Sequence, residues 1–334
     1  MEVSLFNPDE LAAQALAGGG PRGGAGIRDF MPEQHRHFLA QLPYVFVGAV
    51  DSAGWPLATL LTGGPGFVQS PDPTTLHIAA QPDAGDPAAE ALVQDREIGI
   101  LGIDFSTRRR NRANGRIKRR EVDGITVAIS QSFGNCPQYI QRRTVASARR
   151  KSAGAVSNPV ETFTRLDESA RTAIERADTF FVASRSRAGS GAAYGADISH
   201  RGGRPRFVLV GGDGNGDGNG NGNGDGDGDG DVLTIPDFRG NRYFNTLGNL
   251  MAEPRASLLF VDFQTGDLLQ FQGMAEVDWR GEAAARIAGA ERLWRFHIHR
   301  GWRRKAASPL RWAFVDYSRT TAQTGVWDSA PTRV

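Results

Sequence analysis

Two short stretches hold the densest chemistry in this chain. Asp197-Ile-Ser-His-Arg-Gly-Gly203 sets hydroxyl, imidazole and guanidinium groups at the end of a strand, and Asp237-Phe-Arg-Gly-Asn-Arg-Tyr-Phe-Asn-Thr-Leu-Gly-Asn249 runs into a helix. A helix start presents free backbone N–H groups and the positive end of the helix dipole. Arg239, Gly240, Asn241 and Arg242 at such a start would cradle a phosphate. The alternative is an Asn/Arg helix cap with no ligand.

A third stretch, Arg108 to Arg120, carries eight cations in thirteen residues and no acid. Adjacent side chains on a strand point to opposite faces, so both faces would be basic. Three roles fit: a solvated strand edge, a nucleic-acid stripe, or a clamp for a phosphorylated small ligand. No aromatic residues interleave for base stacking, so a nucleic-acid partner is not the expectation.

The remaining motifs do not hold up. Gly18-Gly-Gly-Pro-Arg-Gly23 has dinucleotide-fingerprint spacing, but no strand precedes it and Pro21 sits where the helix should begin. Gly189-Ser-Gly-Ala-Ala-Tyr-Gly195 follows a strand but leads into another, which reads as a hairpin. Asp225-Gly-Asp-Gly-Asp-Gly230 imitates a calcium loop, yet Pro236 stands where the bidentate Glu belongs, so a solvated loop is favoured over weak calcium binding. His35 with His37, and His297 with His299, lack carboxylates at ligand spacing; no metal is expected. Cys136 is the only cysteine, which excludes an internal disulfide or a cysteine-built zinc site.

The elements that must position these groups repeat. Phe46-Val-Gly-Ala-Val-Asp-Ser-Ala-Gly54 aligns with Phe181-Val-Ala-Ser-Arg-Ser-Arg-Ala-Gly189 at an offset of 135, while Ile103-Asp-Phe105 aligns with Val261-Asp-Phe263, and Gly115 with Gly273, at 158. A 21-residue tract, 211–231, made only of Gly, Asp and Asn, accounts for nearly all of the difference. It lies between two apolar runs, has no side chain to bury, and reads as an expanded hairpin loop. Each half gives a helix (Pro32 to Leu42; Asp167 to Ala177), a β run (Tyr44 to Val50; Thr179 to Ser184) and two further β runs. A second helix follows (Asp86 to Gln94; Asn241 to Ala252), then two long β runs (Glu97 to Asp104 with Gly124 to Ser130; Ala256 to Phe263 with Leu268 to Val277). This pattern predicts a mainly β, α+β protein: two antiparallel barrels related by internal duplication. The expected layout is an N-terminal extension (1–30), a first domain (31–143), a linker (144–161) and a second domain (162–320).

Composition bounds the rest. A chain of 334 residues with 40% apolar and 23% charged content suits two globular domains. The longest apolar stretch, Tyr44 to Val50, is far short of the ~20 residues that cross a bilayer. No secretory leader is apparent, so the cytoplasm is the default compartment. The net charge of +2 becomes +8 once the six aspartates of the low-complexity tract are set aside, which favours an anionic partner.

The strings GADISHRGG (195–203) and LTIPDFRGNRYFNTLGN (233–249) resemble the pyridoxamine 5'-phosphate oxidase-like family of FMN-binding split β-barrels, especially its oxidase-related branch. The first half resembles that branch's companion domain through GILGIDFSTRRRNRANGRI (99–117) and QSFGNCPQYIQRR (131–143). The resemblance implies FMN held non-covalently, commonly across a subunit interface of a homodimer. It places the phosphate near Ser199, His200, Arg201, Arg239, Asn241, Arg242, Asn245 and Thr246, with Ile235, Pro236 and Asp237 near the isoalloxazine ring. Asn245-Thr246 replaces the family's Arg-Lys pair. The tail Ser-Ala-Pro-Thr-Arg-Val is not the Arg-Leu-Ala-Pro that helps bind the vitamin, so vitamin B6 oxidation is not expected. The resulting expectation is a flavoprotein passing electrons between a small-molecule donor and acceptor, or else a non-catalytic flavin or haem storage or sensing protein. In a duplicated chain the two halves could pair as an intrachain pseudo-dimer, with the 108–120 strand, Arg108, Arg109 and Arg110 included, facing the flavin site.

Overall fold

The computed structural model describes residues 5–22, 26–148, 158–189, 191–211, 231–280 and 282–327; most of the Gly/Asp/Asn tract, and with it the calcium-like loop, lies outside them. The first half forms a seven-stranded antiparallel sheet of β1 (Tyr44–Val50), β2 (Pro56–Thr62), β3 (Val68–Asp72), β4 (Thr75–Ile78), β5 (Glu97–Asp104), β6 (Arg109–Glu121) and β7 (Gly124–Gly134), in the order β2-β1-β5-β6-β7-β4-β3. Two short strands follow, β8 (Arg142–Ala148) and β9 (Val160–Phe163). The second half contributes β10 (Thr179–Arg185), β11 (Ala196–Gly202), β12 (Leu209–Val210), β13 (Val232–Phe238), β14 (Arg255–Val261), β15 (Leu268–Asp278) and β16 (Ala290–Arg304), in the order β11-β10-β14-β15-β16-β13-β12. A last strand, β17 (Leu310–Asp316), pairs with β8, and β9 joins β16, so the expected linker 144–161 begins and ends in strands. The helices are α1 (Pro8–Leu16), α2 (Glu33–Gln41), α3 (Glu168–Arg176), α4 (Asn245–Ala252) and α5 (Arg319–Ala322).

The two strand orders are the same, and so is the register. Phe46 sits opposite Leu60 and Leu101, and Phe181, 135 residues later, sits opposite His200 and Leu259. Both halves bulge at equivalent points, between Asn114 and Gly115 and between Gln272 and Gly273. A Cβ on Gly115 would lie 1.9 Å from the Ala128 carbonyl oxygen, and one on Gly273 would lie 2.2 Å from that of His297. Only glycine allows this close backbone approach.

No sheet among the described residues closes into a barrel, which corrects the expectation of sheets closed on themselves. One edge of each sheet packs against the other half instead. The β2 edge receives hydrogen bonds from Gln270 to the Ala58 carbonyl (2.9 Å) and from Gln272 to the Pro56 carbonyl (3.1 Å), while the Ala58 N–H donates to Ser257 Oγ (3.1 Å). At the β11 edge, a Cβ on Gly99 would come within 2.8 Å of the Asp197 Cα, so the strands meet without an intervening side chain.

This packing explains the unbroken apolar runs. Along β1, Val45, Val47 and Ala49 enter the first half's own core, while Tyr44 and Phe46 enter a shared core with Phe181, Ala183, Ile198 and Leu259. Both faces are buried, so apolar alternation disappears. The Phe46 and Phe181 rings stack at 3.5 Å across the junction. Each such buried aromatic or aliphatic side chain contributes roughly 1.5–3 kcal/mol.

Two helix expectations shift, and one helix was not expected. The second helix of the first half is reduced to a 3-10 turn, Pro87–Glu90, because the Asp86 carboxylate both caps Ala88 N and faces inward to Thr59, Gln270 and Arg304. Its counterpart α4 starts at Asn245 instead of Asn241, since Arg242 and Phe244 adopt left-handed backbone angles. Helix α1, within the expected extension, is closed by an Asn7/Glu10 capping box and lies on α4. No helix among the described residues is long and apolar enough to cross a membrane.

Candidate functional site

Strand β6 of the first half runs past β11, β13, β16 and α4 of the second, and a cleft opens between them. Arg110 and Arg112 share one face of β6 by the strand's two-residue period and line the cleft from the first half. The second half supplies Ser199, His200 and Arg201 from β11, Pro236 and Asp237 from β13, Arg292 from β16, and the approach to α4. The cleft holds about 90 Å³ of free space.

Its charge is unbalanced. Arg112 is paired with Asp197 at 2.8 Å and donates to Ser199 Oγ; Asp237 accepts from Arg201 at 2.8 Å and from Arg292, which also meets Glu291 at 3.0 Å. Arg242 is spent on the Gly19 and Ala17 carbonyls at 2.9 and 2.5 Å. Arg110 has no carboxylate partner among the described residues: its Nε donates to the Cys136 carbonyl at 3.0 Å, and its Nη1 meets His200 Nδ1 at 3.2 Å. Five arginines thus face three carboxylates, Asp197, Asp237 and Glu291. Burial, with Arg112 and Arg201 alongside, lowers the Arg110 pKa to about 9, which leaves it charged at neutral pH.

The hydrogen bonding fixes further details. A guanidinium can only donate, so His200 Nδ1 is the acceptor and the ring proton sits on Nε2. Burial, reinforced by Arg110 and Arg143, keeps His200 neutral. His200 Nε2, Arg112 Nε, Arg201 Nε and Asn135 Oδ1 are buried without a hydrogen-bond partner. Such orphaned groups are costly, and here they cluster around one cleft. No side chain caps the first turn of α4, so the N–H groups of Asn245, Thr246 and Leu247 add further donors.

Helix α1 braces this wall from behind. Glu10, 4% exposed, accepts from Asn245 Nδ2 at 2.5 Å and from the Asn7 backbone at 2.8 Å. Gly248 lets the two helices touch, since its Cβ would lie 2.7 Å from the Glu10 Cα. Burial raises the Glu10 pKa to about 7 against the opposing pull of its Asn245 hydrogen bond.

Of the residues singled out in the sequence, Ser199, His200, Arg201, Pro236, Asp237, Asn241, Arg242, Asn245 and Thr246 meet at the cleft. Two do not. Ile235 is fully buried in the second half's core, and Arg239 is exposed, its carbonyl accepting from Tyr139 Oη at 3.1 Å. Within the basic run, Arg108 pairs with Asp316 and Arg109 lies over the Phe38 ring, so of the three arginines expected to face the site only Arg110 does. Sequence reasoning missed Asn135, Tyr139 and Arg292. The first two follow the basic strand by a hairpin and could have been found from pairing; Arg292 lies in a strand whose alternation is masked by arginines and histidines. Of the flagged histidines, His35 bonds Ser132 at 2.8 Å and His299 stacks on Trp55.

No protein-family model matches the sequence, and no curated protein does. Among solved structures, two crystal structures of HupZ from Group A Streptococcus are similar at a TM-score of 0.27. One is 12% identical, covering 41% of this chain and 98% of the other; the second is 13% identical, covering 40% and 90%. An FAD-binding protein from Mesorhizobium loti is similar at a TM-score of 0.24 and 12% identity, covering 44% of this chain and 97% of that one. Each overlaps less than half of this chain, and scores this low leave the function to rest on the cleft itself.

Proposed function

We propose that the two halves arose by internal duplication and that their cleft binds FMN through its phosphate. The observation that carries this reading is the surplus of two guanidinium charges beside orphaned N–H donors, which complements a phosphate monoester of charge about −1.5 to −2. Arg110, Arg112, Arg201 and the first-turn N–H groups of α4 would hold the phosphate. The free space is below the roughly 300 Å³ of a site that encloses a whole ligand, so it suits the head group, with the flavin ring over the half-buried Tyr139 and Phe244 at the rim.

When bound, FMN supplies the redox chemistry. The chain's residues bind, orient and exclude water. His200, neutral with its proton on Nε2, neither gives nor takes a proton near pH 7. Every carboxylate at the cleft is held by an arginine. The absence of a poised acid or base at this wall favours a second reading, a flavin carrier or sensor without turnover. Equilibrium dialysis with FMN tests binding, and saturable uptake is expected. Anaerobic addition of NAD(P)H then separates the readings: bleaching of the bound flavin marks an oxidoreductase, and an unchanged spectrum marks a carrier. Failure to take up FMN would refute both.

A further inference from the structure

The repeated register defines a second place in the molecule equivalent to the cleft. Arg110 and Arg112 correspond to Leu268 and Gln270, both 158 residues later, and Ser199 corresponds to Thr59, since Val182 and Val47 occupy the same register position. Asn135 follows Gly134, the partner of Asn111; Arg304 follows Arg303, the partner of Leu269, and 111 and 269 are again 158 apart. The N–H of Asn135 bonds the Arg110 carbonyl, and Arg304 is paired with Leu268, so Asn135 and Arg304 stand at the same position of the two halves.

Their side chains do opposite things. Asn135 is short, lines the cleft and leaves its Oδ1 without a partner. Arg304, with its side chain 5% exposed, reaches into the equivalent corner and meets Asp86 at 2.8 Å and Asp83 at 3.3 Å. Asp86 also accepts from Thr59 and, at 3.3 Å, from Gln270. That corner has no surplus of positive charge, since one guanidinium stands against two carboxylates, although Gln270 Oε1 is left without a partner there.

We propose that the chain has one anion-binding cleft and not two, because Arg304 seals the equivalent corner with its own guanidinium, and that the residue at the end of β7 or β16, Asn135 or Arg304, decides between open and sealed. The inference rests on the reading above only where FMN is the probe. Two measurements on the full chain test it. Equilibrium dialysis is expected to give one FMN per chain, and Asn135→Arg, which fills the cleft as Arg304 fills its own corner, is expected to abolish uptake by the folded protein, with a lowered melting temperature because no carboxylate there is free to match the new guanidinium. Two FMN per chain, or full uptake by a folded Asn135→Arg variant, would overturn the proposal. If the wild type takes no FMN, the flavin reading fails. Crystals soaked in inorganic phosphate then decide the sealing alone: an anion beside Arg110 and none beside Arg304 sustains it, while an anion at both corners, at Arg304 only, or at neither overturns it.

Discussion

The open cleft beside Arg110 and the sealed corner beside Arg304 stand on the same strands in the same register, yet their polar groups are used in opposite ways. At the sealed corner a buried arginine is matched by Asp86 and Asp83, and the groups hold the halves together. At the open one a cation is left without a carboxylate and donors are left without acceptors. One arrangement serves stability. The other leaves a positive surplus and buried donors that a bound anion would match.

The comparison breaks most visibly at Asp86. Asp86→Ala takes from buried Arg304 the nearer of its two carboxylates and from Thr59 and Gln270 their acceptor, so urea unfolding should show a loss of about 3 kcal/mol while the folded fraction keeps its FMN affinity. A loss of affinity equal to that of the cleft variants would mean that the corners are not separable.

The open side is braced by α1, and the brace titrates. Glu10 ionises near pH 4.5 in the unfolded chain and near 7 when buried, so between these values the folded state holds a proton that the unfolded state has released. Its contribution is therefore complete below about pH 4.5, falls as pH rises and is lost above about 7, by roughly 3 kcal/mol in all. Unfolding free energies of wild type and Glu10→Gln from pH 4 to 8 should diverge over that window; parallel curves would remove Glu10 from the account.

Arg110→Gln should weaken FMN binding at least tenfold, about 1.5–3 kcal/mol for one hydrogen bond to a charged group, with stability unchanged because no carboxylate is orphaned. Arg109→Gln should do almost nothing to either, since that side chain lies over Phe38 outside the cleft. Equal effects from Arg109 and Arg110 would mean that diffuse positive charge, and not the cleft, attracts the ligand.

Much of this was legible in the sequence. The paired strings around Phe46 and Phe181 and the glycines at 115 and 273 fall at matching positions of the two sheets, the glycines because close backbone contact leaves no room for a Cβ. Asp197 to Gly203 and Arg239 to Arg242 stand out for donor chemistry at a strand end and a helix start, while Asn245 and Thr246 enter only through the family resemblance. What stayed hidden depends on tertiary pairing. The start of α4 moved because Arg242 and Phe244 take left-handed angles that their types do not announce. The open sheets follow from glutamines that satisfy the β2 edge from the other half. Arg304 looks like any surface arginine until its register against Asn135 is known.

The most direct measurement compares FMN with riboflavin, which lacks only the phosphate, in a fluorescence titration of the same protein at fixed salt. The cleft predicts saturable FMN binding at least tenfold tighter than that of riboflavin. Equal affinity for the two, or no saturable binding of either, would contradict it.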